Sequence, residues 1–291
     1  MNSPANKLLI LAPAKINWTL DVLGKRDDGY HEIESIMQTL TLVDFIGLSR
    51  RAEPGIGLTL SGRTANGVPA DASNIAHQAA ALILSALGCS SQGIDIVLIK
   101  CIPSQAGLGG GSSDAAAVLL GVNRLLGDAL GISDLYPIAK QLGADVSFFL
   151  QGGTARLWGI GEKVEPIESG PDTAFVIVKP TCGVSTADAY HALDKLPDRQ
   201  RARATARWPE GGMSNDFEAV VFDLAPDLRR TRQALLNAGA TRVLLCGSGS
   251  ALAAFSPEPD ALFESTRQMD MGEVVLVKPW DNLEMRMRIL E

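Results

Sequence analysis

Four glycines fall within five residues, Gly107, Gly109, Gly110 and Gly111, and two serines, Ser112 and Ser113, follow directly. Glycine has no Cβ, so such a run lets consecutive backbone N–H groups face one ligand at close range. From Ser113 to Leu126 apolar side chains recur at helical spacing through Ala116, Val118, Leu119, Val122 and Leu125. The first N–H groups of a helix lack partners inside it, and the helix dipole puts partial positive charge at the same end. A glycine loop running into a helix start is therefore a place to hold phosphate. Ser112 and Ser113 add hydroxyl donors and can cap the helix. The alternative is a flexible turn before an ordinary helix, but these glycines abut serines and a strong helix rather than a polar linker.

Three well-known phosphate patterns do not describe this loop. GxxxxGK followed by Ser or Thr fails because no lysine follows the glycines. GxGxxG fails because Ser112 stands where the third glycine belongs. The HRD and DFG segments of protein kinases are absent.

Charged residues inside apolar runs need a partner or a purpose. Asp145 follows Gly143-Ala144 and leads into Ser147-Phe148-Phe149-Leu150. It reads either as a functional carboxylate or as a helix cap. Lys15 lies in Ala12-Pro13-Ala14-Lys15-Ile16-Asn17, again mostly apolar, and reads either as a buried cation or as a snorkelling surface lysine. Tyr30 and His31 could stack on a base and hydrogen-bond its edge, or could be a half-buried strand pair.

The elements that must position these residues are mixed. Lys7–Leu11, Ile16–Leu23, Glu32–Leu42 and Ile56–Leu60 read as strands, with a polar turn over Gly24–Gly29. Asn74–Leu87 reads as a helix capped by Ser73 or Asn74, Ile94–Ile99 as a strand, Pro103–Gly111 as the loop, and Ser133–Leu142 as a helix. Strands follow at 154–158, 175–178, 243–245, 251–255 and 274–277, with helices at 186–193, 215–222, 227–238 and 260–269. No regular βαβ alternation appears, so the fold class is α+β rather than a doubly wound sheet, with a boundary near residue 155. A basic stretch, Arg199–Arg207, reads as a solvated connection. The net charge of −7 speaks against a nucleic-acid or anionic-membrane partner. Four scattered cysteines and three histidines without ligand spacing speak against a structural zinc site or a disulfide framework and suit a reducing compartment. No apolar run approaches a membrane span or a signal-peptide core, so a cytoplasmic protein is expected.

The loop resembles that of the GHMP kinases, the family that includes galacto-, homoserine, mevalonate and phosphomevalonate kinases. Its pattern P-x-x-x-G-L-G-S/G-S/G-S-S is met by Pro103, Gly107, Leu108, Gly109, Ser112 and Ser113. The family's later glycine motif resembles Cys246-Gly247-Ser248-Gly249-Ser250. Further segments are similar to the branch of the family that acts on a cytidine-diphosphate-linked methylerythritol in the non-mevalonate isoprenoid route. They are Pro13–Leu20, Gly24–Glu32, Ser35–Gln38, Leu142–Val146 and Ser214–Phe217. Two departures, Ser147 where proline is common and Ala12 where serine often stands, remove no functional group.

The resemblance implies a ribosomal-protein-S5-domain-2-like N-terminal domain (1–155) that binds ATP and a ferredoxin-like C-terminal domain (156–291), with substrate between them. It implies Asp145 as the catalytic carboxylate and Lys15 as its partner. ATP would lie along Pro103 and Gly107–Ser113, with Asn74 and Lys100 near the adenine, although these two also read as a plain cap and a plain surface charge. Tyr30, His31 and Tyr190 would hold the cytosine, while Asn17 and Thr186 would meet the methylerythritol side. Mg²⁺ is implied between the β- and γ-phosphates, with no protein ligand singled out. A monomer or homodimer is expected. Two alternatives remain open at this point: another GHMP kinase, such as a phosphomevalonate or homoserine kinase, and a non-catalytic nucleotide-binding regulator. A base-reading segment at Tyr30-His31 opposes the first, and retention of both Lys15 and Asp145 opposes the second.

Overall fold

The computed structural model describes residues 7–196, 205–210, 212–281 and 287–290. Most of the basic stretch, residues 199–204, lies outside the described residues; Thr205–Arg207 form one 3₁₀ turn.

The first sheet is built on two long antiparallel strands, β1 (Lys7–Lys25) and β2 (His31–Arg51). Sequence reading breaks the first of these near Pro13, but the strand runs through. Proline costs a ladder donor, and it is tolerated here because the register shifts between Pro13 and Lys15. A second shift follows between Asn17 and Thr19. Each shift reverses which residues face which side. Leu8, Ile10 and Ala12 join one core, Ala14, Ile16 and Trp18 a second, and Leu20 and Val22 a third. The segment between the shifts is thus turned over, and Lys15 and Asn17 are re-aimed into a cavity.

β3 (Gly55–Ser61) and β4 (Gly93–Ile99) extend the sheet beyond β2, with α1 (Ile75–Ala86) between them. The glycine loop follows, then α2 (Gly110–Leu125), α3 (Ile132–Leu142) and α4 (Ala144–Gln151). The helix expected from Ser113 starts three residues earlier, so Gly110 and Gly111 lie in its first turn. Gly109, at φ 71°, takes the N-cap position, and no serine side chain caps the helix. α2 buries Ala115, Ala116, Val118, Leu119 and Val122, in one core with the inward side chains of the sheet. α4 was not expected as a helix; its short apolar run Val146–Leu150 is buried whole, which hides the helical period. A hairpin of β5 (Thr154–Gly159) and β6 (Lys163–Pro166) also joins this sheet, through β5 on β2.

A second sheet follows, of β7 (Phe175–Lys179), β9 (Arg242–Leu245), β10 (Leu252–Phe255) and β11 (Glu273–Val277), all antiparallel in the order β11-β7-β10-β9. α5 (Thr186–Asp194), α6 (Glu218–Leu224) and α7 (Pro226–Asn237) lie between β7 and β9, and α8 (Pro259–Arg267) between β10 and β11. This is the split β-α-β order of a ferredoxin-like sheet. The helix expected at 215 starts at Glu218. Ser214–Asn215 instead form β8, parallel to β1, and β12 (Met287–Leu290) returns to the outer edge of β1. The two sheets share a core in which Trp18 meets Phe175 edge-on at 5.7 Å. None of the described helices is long and apolar enough to cross a membrane.

Candidate active site

Two glycine segments meet back to back. Gly107 has φ 75°, and a Cβ there would lie 1.9 Å from the carbonyl oxygen of Cys246. Only glycine permits that approach and that backbone shape. The Ala251 N–H donates to the Ala106 carbonyl at 3.1 Å, and the Lys15 N–H to the Leu108 carbonyl at 2.9 Å. The glycine loop is thereby fastened to the 246–251 turn on one side and to β1 on the other. Beyond it, helix geometry leaves the N–H groups of Gly110, Gly111 and Ser112 without an intrahelical partner, and Ser113 is the first to bond back, to the Gly109 carbonyl at 2.9 Å. Asn215 holds the turn: its Nδ2 donates to the carbonyls of Leu245 at 2.8 Å and Gly247 at 2.7 Å, and its Oδ1 accepts from the Phe217 N–H at 3.0 Å.

Lys15 and Asp145 meet at this junction. Lys15 Nζ lies 3.6 Å from Asp145 Oδ2 and donates to Asn17 Oδ1 at 2.7 Å. Asn17 in turn donates to Ser35 Oγ at 2.8 Å. Lys15 is 4% exposed and therefore no surface lysine. Asp145 sits in the first turn of α4, behind the N-cap Gly143, so it does not itself cap the helix. Both line a cavity of about 700 Å³, together with Gly107, Gly109 and Gly247. Buried Cys246 is close by; burial pushes its thiol up to about 12 against the pull of Lys15, so it stays a protonated bystander.

A smaller cavity of about 420 Å³ opens on the other side of the same loop, sharing Gly107 and Gly109 with the first. Pro103, Leu108, Gly110, Gly111, Ser112, Asn74 and Lys100 line it. Asn74 is the N-cap of α1, accepting from the Ala76 N–H at 2.9 Å. Lys100 is no surface charge. It is 3% exposed and donates to Asp44 and, at 2.6 Å, to Asp114 Oδ2. Burial pulls its ammonium down, but the two carboxylates outweigh that and raise it. Asp44 also accepts the N–H groups of Cys101 and Ile102. Asp114 is less well served, since its Oδ1 has no hydrogen-bond partner among the described residues. Burial, with Asp44 adding to it, raises its carboxyl well above the ordinary range despite Lys100. Ser113 is buried beside it, its hydroxyl likewise without a partner.

Of the aromatic candidates, only Tyr190 lines the larger cavity; His31 lines neither cavity but packs on Tyr190. The His31 ring stacks on Tyr190 with centroids 4.3 Å apart, and Tyr190 meets Phe217 edge-on at 4.8 Å. Tyr190 and Phe217 line the cavity. Burial, then the negative charge of Asp145, pushes the Tyr190 phenol up to about 12. Tyr30 is 61% exposed and lines neither of these cavities. Thr186, at the start of α5, shares a 2.7 Å hydroxyl contact with Ser248 and lines the larger cavity with it.

Residues 74–153 match the GHMP kinases N terminal domain, and residues 193–269 the GHMP kinases C terminal domain. A 4-diphosphocytidyl-2-C-methyl-D-erythritol kinase of Caldicellulosiruptor saccharolyticus is 39% identical over 94% of this chain and 98% of its own. The chain belongs to the GHMP kinase family. An enzyme of the same description from Geobacter sulfurreducens is 42% identical over 90% of this chain and 95% of its own. Among solved structures, a 4-(cytidine 5'-diphospho)-2C-methyl-D-erythritol kinase superposes with a TM-score of 0.75 at 34% identity, covering 94% of this chain and all of the other. A homoserine kinase from Cytophaga hutchinsonii reaches the same TM-score at 21% identity over all of this chain and 99% of its own, and so shares the fold.

Sequence reading of this GHMP kinase gives no role to four residues, Asp44, Asp114, Asn215 and Asp194. Asp44 and Asp114 complete the Lys100 cluster, and each was visible as a carboxylate inside an apolar run, Leu42-Val43-Asp44-Phe45 and Asp114-Ala115-Ala116. Asn215 was noted as part of a motif without a role. Asp194, which pairs with His31, gave no signal, because an acid near a helix C-terminus is unremarkable in sequence.

Proposed function

We propose that this chain moves the γ-phosphate of ATP onto the 2-hydroxyl of 4-diphosphocytidyl-2-C-methyl-D-erythritol, a step in isoprenoid precursor synthesis by the non-mevalonate route. The observation that carries the proposal is the Lys15–Asp145 pair at 3.6 Å, facing the same cavity as the glycine loop. The acceptor is supported by the curated relatives, which carry that description at 39–43% identity over most of the chain.

Phosphoryl transfer asks mainly for positioning and electrostatics. In this reading the N–H groups at the mouth of α2 hold the phosphates, with the adenosine end towards the smaller cavity near Asn74 and Lys100. The alcohol lies in the larger cavity against Asn17 and Thr186. Asp145 accepts the hydroxyl proton as the oxygen attacks, and Lys15 neutralises charge on the transferring oxygens. Tyr30, His31 and Tyr190 face the cytosine. ATP is the donor; a Mg²⁺ ion would supply charge neutralisation at its phosphates. At the start of α2 the Ser113 hydroxyl, without a partner among the described residues, would offer such an ion an oxygen. We further take residues 1–155 as the ATP-binding unit and 156–291 as the C-terminal unit of a cytoplasmic enzyme. Lys15, Gly109 and Asp145 line the cleft from one and Thr186, Tyr190 and Gly247 from the other.

A coupled ADP-release assay tests the reading. ADP should appear with the cytidyl diphosphate methylerythritol and not with mevalonate phosphate or homoserine. Release with either of the others alone would overturn it.

A further inference from the structure

We propose that Asp194 sets a preference for cytosine over uracil in the acceptor site by fixing the tautomer of His31; the inference rests on the cytidyl acceptor proposed above. Asp194 closes α5, and its Oδ1 lies 2.7 Å from His31 Nε2 while its Oδ2 lies 3.6 Å from Lys25 Nζ. The hydrogen bond from His31 holds the Asp194 carboxyl below its ordinary range against some burial, and the charge of Lys25 adds to the effect. An ionised carboxylate only accepts hydrogen bonds, so the proton of this contact belongs to Nε2. In the neutral ring Nδ1 is then an acceptor. It makes no hydrogen bond to any described residue.

The ring is held on a second side as well. It stacks on Tyr190 at 4.3 Å and 20°, and Tyr190 is braced edge-on by Phe217 at the cavity wall. Two independent constraints, one on the ring edge and one on its face, leave His31 little freedom to turn over. A His31 fixed in this way presents an acceptor to whatever base edge approaches it. Cytosine offers an exocyclic amino group at that edge, whereas uracil offers a carbonyl oxygen. The first pairs with an acceptor and the second opposes it. Lacking a charged carboxylate at Asp194, the ring could carry its proton on Nδ1 and suit uracil instead.

Asp194→Asn makes the test, since the carboxamide can donate to Nε2 and so permit the other tautomer. The measurement is kcat/KM for the cytidyl and uridyl diphosphate forms of methylerythritol, in the wild-type chain and the variant. The wild type is expected to favour the cytidyl form by about tenfold or more, and the variant to narrow that ratio by about tenfold. A ratio left unchanged while both substrates weaken alike would mean that Asp194 merely ties α5 to β2, and would overturn the proposal. No transfer to the cytidyl form by the wild type would instead overturn the reading beneath it. Long-range ¹H–¹⁵N spectra of the ligand-free wild type give a check that needs no variant fold beyond assignment of the signal lost in His31→Gln. The expected species carries its proton on Nε2, and a proton on Nδ1 would contradict the proposal.

Discussion

The chemistry assigned to Lys15 depends on its being both buried and near an acid. Neither fact can be read from its neighbours in sequence, because Ala-Lys-Ile-Asn suits a surface strand equally well. What decides is the pair of register shifts that turns residues 15 and 17 over. Asp145 was more legible, since a carboxylate leading an apolar run stood out. Tyr30 is the opposite case: its motif drew attention, yet its ring is 61% exposed. If it closes over a base, its contribution is stacking, on the order of 1–3 kcal/mol. Tyr30→Ala should therefore raise the KM for the cytidyl substrate by about tenfold while the KM for ATP stays nearly constant. Steady-state kinetics with each substrate varied in turn would show it, and equal effects on both would count against a base contact.

At the scale of elements, the glycine loop and the 246–251 turn behave as one piece. Their contact is close because Gly107 has no side chain, and it is held in place by Asn215 from β8. The periodicity of α2 was plain in sequence, but its start was not. Gly110 and Gly111 are poor helix formers and read as loop, whereas tertiary packing carries the helix back to Gly110. The role of Asn215 was invisible for a similar reason, since two of its three bonds reach across thirty residues or more of chain. Asn215→Ala leaves the carbonyls of Leu245 and Gly247 short of a buried donor, a loss of about 1–3 kcal/mol. Urea unfolding should register that loss, together with weaker ATP binding. Unchanged stability would show that water replaces the amide without penalty.

Over the whole molecule, the α+β class was legible from the order of strands and helices, and the ferredoxin-like second sheet only through the family resemblance, whereas β6, β8 and β12 are too short to announce themselves. The crossings they make, with β8 and β12 both returning to β1, are non-local and leave no periodic trace. The buried Asp44–Lys100–Asp114 cluster joins β2, the residues just after β4, and α2 around the smaller cavity. Removing its only ammonium, with Lys100→Met, strands two buried carboxylates and should cost about 3–5 kcal/mol in thermal or urea unfolding. Its pH dependence has a definite sign. The Asp114 carboxyl is raised in the fold, so above the usual carboxylate range the folded chain binds more protons than the unfolded one. That contribution is full at low pH and is lost as pH rises through the folded value. Asp114→Asn should therefore gain stability relative to the wild type as pH rises upwards from the usual carboxylate range. A difference between the two that stays constant with pH would contradict this account of the cluster.

The central claim is that the Asp145 carboxylate beside Lys15 readies an alcohol for attack on the γ-phosphate. Asp145→Asn keeps the shape and removes the base. Turnover of the cytidyl diphosphate methylerythritol, measured together with the dissociation constant for ATP, puts that claim at greatest risk. We expect kcat to fall by about 10²–10⁴ while ATP affinity holds within about threefold. A variant that turns over at close to the wild-type rate would take Asp145 out of the reaction.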